Sequence, residues 1–286
     1  MYIFKKILML FLVFILVACA NQNENKHNEK TLKQKTKHIV LGSMGADADI
    51  WRFIAKSQAA QDAGLDIEVK NITDGIALNL ATAEKKIDVN AFQSWAYLKT
   101  FNQKHGDSLR AIATTYLEPM GLYSKKYKDL RQLPLKAVIA IPNDTANTSR
   151  ALLLLEQAEL IKLKDSFDHV TGSVQDIISN PKQFQIKQVQ GATTPRVLTD
   201  VDLAAIGNTN ALESGLNVLE DALVYEKTNS KTMNNINILV VSKDRENDIE
   251  LQKLATLYHQ PEVIDYIKKH FGGTKLDVNQ EISSLN

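Results

Sequence analysis

Sulfur chemistry is almost absent from this 286-residue chain, in which Cys19 is the one cysteine. No disulfide can form within it and no second thiolate is at hand for a zinc site or a redox pair, so the fold is held by burial. Charge of one sign is lacking too. The 34 Lys and Arg nearly balance 33 Asp and Glu, for a net +1, which leaves no basic footprint for nucleic acid. Histidines paired at metal-ligand spacing and a glycine-rich phosphate loop are also missing. Gly42-Ser43-Met44-Gly45 lacks the residue that a nucleophile elbow needs between Gly and Ser. Asp47 and Asp49 share a loop, where two carboxylates are more often solvated or capping a helix than holding a hard metal. These absences predict no enzyme, no cofactor and no metal.

What is present begins with one apolar run, Ile7 to Ala18, behind Lys5 and Lys6. It is short for a bilayer span and ends Leu16-Val17-Ala18-Cys19, so residues 1–18 read as a secretory signal peptide. The cysteine at the cut reads as a lipidation site: once diacylated it becomes the new N-terminus, and two or more acyl chains hold a protein at a membrane. An ordinary signal peptide with an incidental cysteine is the alternative. Residues 19–38 are rich in Asn, Gln and Lys and nearly free of apolar side chains, which predicts a disordered tether. Its lysines suit solvent or anionic headgroups. The expected place is the cell envelope, lipid-anchored and facing the periplasm or the exterior.

From Ile39 the periodicity changes. Apolar strand runs at Ile39, Ile67, Ile87 and Leu109 alternate with helical stretches near 49–62 and 75–86. A second series has strand runs at Ala137, Gln185, Val201 and Ala222 and helices near 147–160 and 210–216. A last strand, INILVVS from Ile236, and two helices near 248–258 and 261–271 finish the chain. This predicts an α/β protein of two lobes, with mixed, mostly parallel sheets, helices on both faces and a cleft between the lobes. Residues 39–117 plus 236–286 are assigned to the first lobe and 118–235 to the second.

Several strings carry a resemblance: Asp88-Val89-Asn90-Ala91-Phe92-Gln93, Glu118-Pro119-Met120-Gly121-Leu122-Tyr123-Ser124, Ile141-Pro142-Asn143-Asp144 continuing to Arg150-Ala151-Leu152, and Ala211-Leu212-Glu213-Ser214-Gly215-Leu216. In collinear order from Ile39 onward they resemble the NlpA/MetQ family of methionine-binding lipoproteins. The resemblance implies a two-lobed periplasmic-binding-protein fold, a small amino acid as ligand, and an ABC permease with its ATPase as partners. The chain departs from the family pattern at Ser94-Trp95-Ala96, where a histidine is usual after Phe-Gln. It departs again in the loop Gly45 to Asp49, at Gly75 where tyrosine is common, and at Gly207 where an asparagine is expected.

Capturing a free amino acid calls for a cation for its carboxylate, acceptors for its ammonium and an apolar pocket. Arg150 lies in the opening of a helix, where a cation opposes the macrodipole and asks for an anion. Its position matches the family's carboxylate-binding arginine and Asn147 matches the companion; the alternative is a surface arginine. Glu118 and the polar run Asn208-Thr209-Asn210, Asn208 first, are the candidate ammonium acceptors. Glu118 suits equally a structural partnership with a lysine, and the Asn run a helix cap. Phe92, Trp95, Tyr97 and Tyr116 are candidates for the apolar surface, since rings suit a thioether, and packing is the competing use of each. A competing class is a surface adhesin or scaffold that has kept the two-lobed shape with an altered ligand or none. Hinge closure about crossovers near Tyr116–Leu122 and Tyr225–Asn235 is the expected mechanism.

Overall fold

Alternating side chains on the central strands face two different cores, which is why each sheet needs helices on both sides. A computed structural model describes residues 36–227 and 230–285. The leader, Cys19 and the tether as far as residue 35 lie outside the described residues. Along the chain run strand β1 (Lys37–Ser43), helices α1 (Gly45–Ala55) and α2 (Gln58–Asp62), β2 (Leu65–Asn71), α3 (Gly75–Ala83), β3 (Val89–Ser94), α4 (Trp95–His105), β4 (Leu109–Thr114), β5 (Tyr116–Leu117) and β6 (Met120–Tyr123). Then come β7 (Val138–Pro142), α5 (Thr145–Gln157), β8 (Lys162–Leu163), β9 (Ile177–Ser179), β10 (Gln185–Val189), β11 (Leu203–Gly207), α6 (Asn208–Glu213) and β12 (Val224–Tyr225). The chain closes with β13 (Asn237–Ser242), α7 (Ile249–Tyr258), α8 (Pro261–His270) and β14 (Leu276–Asp277). Among the described residues no helix is long and apolar enough to cross a membrane.

The first lobe is built on a sheet ordered β2-β1-β3-β13-β4. On β13, Leu239 and Val241 join a core with Ile50 and Trp51 of α1, Leu254 of α7 and Ile267 of α8, whereas Ile238 and Val240 join a core with Leu98 and Phe101 of α4. The second lobe repeats the plan with order β10-β7-β11-β6-β12. Ile139 and Ile141 of β7 meet Leu152 and Leu155 of α5, while Ala140 faces Ile206 and Ala211. Both sheets are mixed. β1 pairs in parallel with β2 and β3, and β7 with β10 and β11, whereas β13 enters antiparallel to β3 and β4, and β6 antiparallel to β11 and β12. The antiparallel ladders belong to the strands that follow the two passages between the sheets, one between β5 and β6 and one between β12 and β13.

Helix α4 is absent from the periodicity reading, which ran from β3 directly to β4. Ser94 caps it by accepting the Tyr97 N–H at 3.2 Å, and Gly106 ends it in the left-handed conformation at φ +88°. Between these ends the buried face is only Ala96, Leu98, Thr100 and Phe101, interrupted by polar residues. The two caps and the basic Lys104 and His105 in the last turn are the signals that mark the helix.

Candidate functional site

The inner edges of both lobes line one cleft of about 210 Å³. The first lobe contributes Met44, the opening of α3 from Asp74 to Ile76, Phe92 to Ser94 at the end of β3, and Tyr97 on α4. From the second lobe come Asn143, Asp144, Asn147 and Arg150 at the opening of α5, the turn Gln190-Gly191-Ala192, and Gly207, Thr209 and Asn210 around the start of α6. Glu118, from the first passage between the sheets, and Asn237, the first residue of β13, complete it. The lining residues after β3, β7, β10 and β11 stand at the carboxyl ends of those strands, where open α/β sheets place ligands.

One end is apolar. Phe92 and Tyr97 meet edge to face, with ring centroids 5.8 Å apart and planes at 74°, and Met44 and Ile76 lie on the same lining. The base under these rings is a buried amide network. Gln93 donates to Asn79 at 2.6 Å and to Asn90 at 2.7 Å, and Asn90 donates to Thr82 at 2.8 Å. That network ties β3 to α3 and so fixes Phe92 relative to Gly75. Burial, followed by the charges of Asp144 and Asp74, raises the Tyr97 phenol well above its ordinary value, so it stays a neutral hydroxyl.

The other end is charged. Arg150 sits in the second turn of α5 and is buried rather than exposed. Its Nε lies 2.9 Å from both carboxylate oxygens of Glu226, and its Nη2 donates to Glu226 Oε2 at 2.6 Å and to the Glu118 carbonyl at 2.6 Å. Glu226 is itself fixed, accepting the Met120 N–H at 2.7 Å. Burial works against the Arg150 charge, but Glu226, Glu118 and Asp144 outweigh it and hold the guanidinium above its ordinary pKa. Among the described residues Nε and Nη2 carry these bonds, and Arg150 lines the cleft. Asn147 also lines the cleft, its amide donating to both oxygens of Asp144 at 3.1 Å.

Of the residues singled out from sequence, Arg150, Asn147, Phe92, Tyr97 and Glu118 share this lining. Tyr116 and Asn208 stand outside it. Tyr116 packs in the first-lobe core against Tyr258, with the Lys275 ammonium 4.2 Å from its ring centroid. Asn208 donates to Glu118 at 2.9 Å and to Thr274 at 3.0 Å, and its own buried carbonyl oxygen has no partner among the described residues. Trp95 packs against the α4 core. Thr209 and Asn210 of the polar run that follows β11 do reach the lining, and Asp74, Gln190 and Asn237 belong to it without having been singled out from sequence. For Asn237 a signal existed: it is the first residue of a strand that is apolar from Ile238 to Val241.

The family model for the NlpA lipoprotein matches residues 39–279. Lipoprotein 28 of Escherichia coli strain K12 is 38% identical over 240 residues, covering 83% of this chain and 86% of its own. The solved structure of an ABC transporter periplasmic substrate-binding protein from Coxiella burnetii matches with a TM-score of 0.79 at 38% identity, covering 84% of this chain and 100% of that one. A nutrient binding protein from Burkholderia cenocepacia, solved bound to methionine, matches with a TM-score of 0.80 at 35% identity, over 84% of this chain and 99% of that one. Two lobes, a cleft at the strand ends and a match along nearly all of the folded body place this chain in the NlpA lipoprotein family.

Proposed function

We propose that this chain is the substrate-binding lipoprotein of an ABC importer, anchored to a membrane of the cell envelope through Cys19 and closing its lobes on methionine or a methionine-like amino acid. The carrying observation is the make-up of the cleft, with the Arg150 guanidinium on its lining from one lobe and a ring-lined corner at Phe92 and Tyr97 from the other. A small amino acid laid across it touches both lobes, and contact with both is what lets ligand favour the closed form. Asn147 orients the carboxylate beside Arg150, and the acids on the lining attract the ammonium. A thioether suits the ring edges, at about 0.3–1.5 kcal/mol per contact. The methionine bound to the Burkholderia relative supports the ligand, and the substrate-binding description of the Coxiella relative supports the importer with its permease and ATPase. The site carries no catalytic role in this reading.

Calorimetric titration with L-methionine, D-methionine, other amino acids and methionyl dipeptides tests it. Saturable methionine binding is expected, together with a thermal stabilisation of about 2.7 kcal/mol at a hundredfold excess over the dissociation constant. Arg150→Ala is expected to abolish it, but that change also strands Glu226, so Arg150→Met combined with Glu226→Gln is the matched variant. Unaltered titration in the matched variant removes Arg150 from the site. One observation favours a second reading, an altered ligand or a scaffold: Arg150 is already paired with Glu226, and Glu118 with Lys275. That reading expects no methionine response across the panel.

A further inference from the structure

Charges on the cleft lining are met unequally. One cation, Arg150, and three acids, Asp74, Glu118 and Asp144, stand there. Arg150 is paired with Glu226. Glu118 is paired with Lys275, which follows α8 in the first lobe and whose buried ammonium also donates to Asp47 at 2.7 Å and to the Thr209 hydroxyl at 2.9 Å. Asn208 donates to Glu118 Oε2 at 2.9 Å and Thr209 to Oε1 at 3.0 Å. Three of about four acceptor positions on that carboxylate are thus taken. Asp74 and Asp144 are placed differently. Each caps a helix that opens on the cleft: Asp74 accepts the Ala77 N–H at 2.8 Å at the start of α3 in the first lobe, and Asp144 the Asn147 N–H at 2.9 Å at the start of α5 in the second. Neither has an ion-pair partner among the described residues, and Lys104, whose charge reaches Asp144, donates to the Thr145 hydroxyl at 2.7 Å. Burial raises the Asp144 carboxyl above its ordinary value, only partly offset by Asn147, a cost that a cation in the cleft would relieve. The two acids also bear on one group, since after burial it is their charges that raise the Tyr97 phenol.

We propose that the ligand's ammonium is held between Asp74 of the first lobe and Asp144 of the second, beside the Tyr97 ring, and not at Glu118. This assignment rests on the amino-acid capture proposed above and names the residues that select for the amino group. Arg150 and Asn147 keep the carboxylate at the same helix opening. Two carboxylates brought toward each other as the lobes close repel. An ammonium between them turns that repulsion into attraction on both sides, and the ring face adds to it. Closure is therefore favoured by a ligand that carries a cation and opposed by one that carries the carboxylate and thioether alone.

Calorimetry on the full chain in detergent tests this with two ligands, methionine and its desamino analogue methylthiobutanoate, which keeps the carboxylate and the thioether. Wild type is expected to prefer methionine by about a hundredfold. Asp144→Asn and Asp74→Asn remove charge and keep the helix caps, because Asn caps as well as Asp. Asp144→Asn is expected to weaken methionine about tenfold, and Asp74→Asn, at an exposed position, about threefold. In both variants the desamino acid is expected to bind as in wild type or more tightly, so the preference shrinks, whereas general damage to the cleft would weaken both ligands alike and leave it. A preference that survives in either variant overturns the bridge between the lobes, and its loss in Glu118→Gln would then place the ammonium at Glu118. A wild type that takes up no amino acid fails the capture reading and this inference with it; methionine binding with an unaltered preference in the variants fails the inference alone.

Discussion

Two glycines on the cleft wall show how a missing side chain shapes the site. At Gly75 a Cβ would stand 2.7 Å from the Tyr97 hydroxyl and 2.8 Å from the Phe92 ring, so both rings occupy the space that a side chain there would claim. At Gly207 a Cβ would meet nothing within 4 Å, and φ is −66°, which any residue adopts. The same added methyl therefore acts differently at the two places. Gly75→Ala is expected to push the rings and change methionine affinity by about 1–3 kcal/mol, the worth of a methylene in a pocket. Its effect on stability is smaller, because alanine favours the helix and the atoms that give way are ring ends. Gly207→Ala is expected to leave the rings in place and stability within about 0.5 kcal/mol, while narrowing the charged end. Titration and urea denaturation of the two variants side by side check this; equal affinity changes at both positions would mean that ring placement is not what Gly75 controls.

The elements show which parts of the site are written locally. Most strand and helix runs from Ile39 onward were legible because the core strands alternate between two apolar faces and most helices offer an apolar stripe, but the stretch read as one helix near 49–62 is two, α1 and α2, parted at Lys56-Ser57, and β6 was not read. Arg150 was legible as well, being a cation near the start of a helix whose cap, Asp144, is plain in the sequence. The partners of the charged groups were not: Glu226 is 76 residues from Arg150, Asp47 is 228 from Lys275, and no local pattern records such pairings. Helix α4 fell between these cases, its caps legible and its stripe too narrow to stand out. Because Ser94 both caps α4 and lines the cleft, Ser94→Ala is expected to cost about 1 kcal/mol, within a range of about 0.5–2. It should also loosen the turn that carries Tyr97. Chemical denaturation measures the first effect, and ligand titration at a temperature well below unfolding measures the second.

At the scale of the whole molecule, the charges between the lobes make stability depend on pH in a direction that can be worked out. Lys275 is penalised by burial, yet Asp47 and Glu118 outweigh that and hold its pKa above the ordinary 10.5. Its contribution is complete below 10.5 and is lost as pH rises through the folded value. Glu118 is also penalised by burial, but Lys275, Asn208 and Arg150 together hold it below its ordinary 4.5. It therefore adds stability above 4.5 that disappears as pH falls through its folded value. Asp47 works the other way: burial, only partly offset by Lys275, raises it above 3.8, so the fold takes up this proton more readily than the unfolded chain does. The acid limb of the stability profile is thus softened by Asp47 and driven by Glu118, while Lys275 drives the alkaline limb. Glu118→Gln is expected to flatten the fall below about pH 4.5 and, by removing one of the two acids that hold up Lys275, to weaken the alkaline limb as well, and Asp47→Asn is expected to steepen the acid fall. Urea midpoints measured across pH for the three proteins decide it, and an unchanged acid limb in Glu118→Gln would place the dominant carboxylates elsewhere, at surface pairs that salt would screen and this buried group would not.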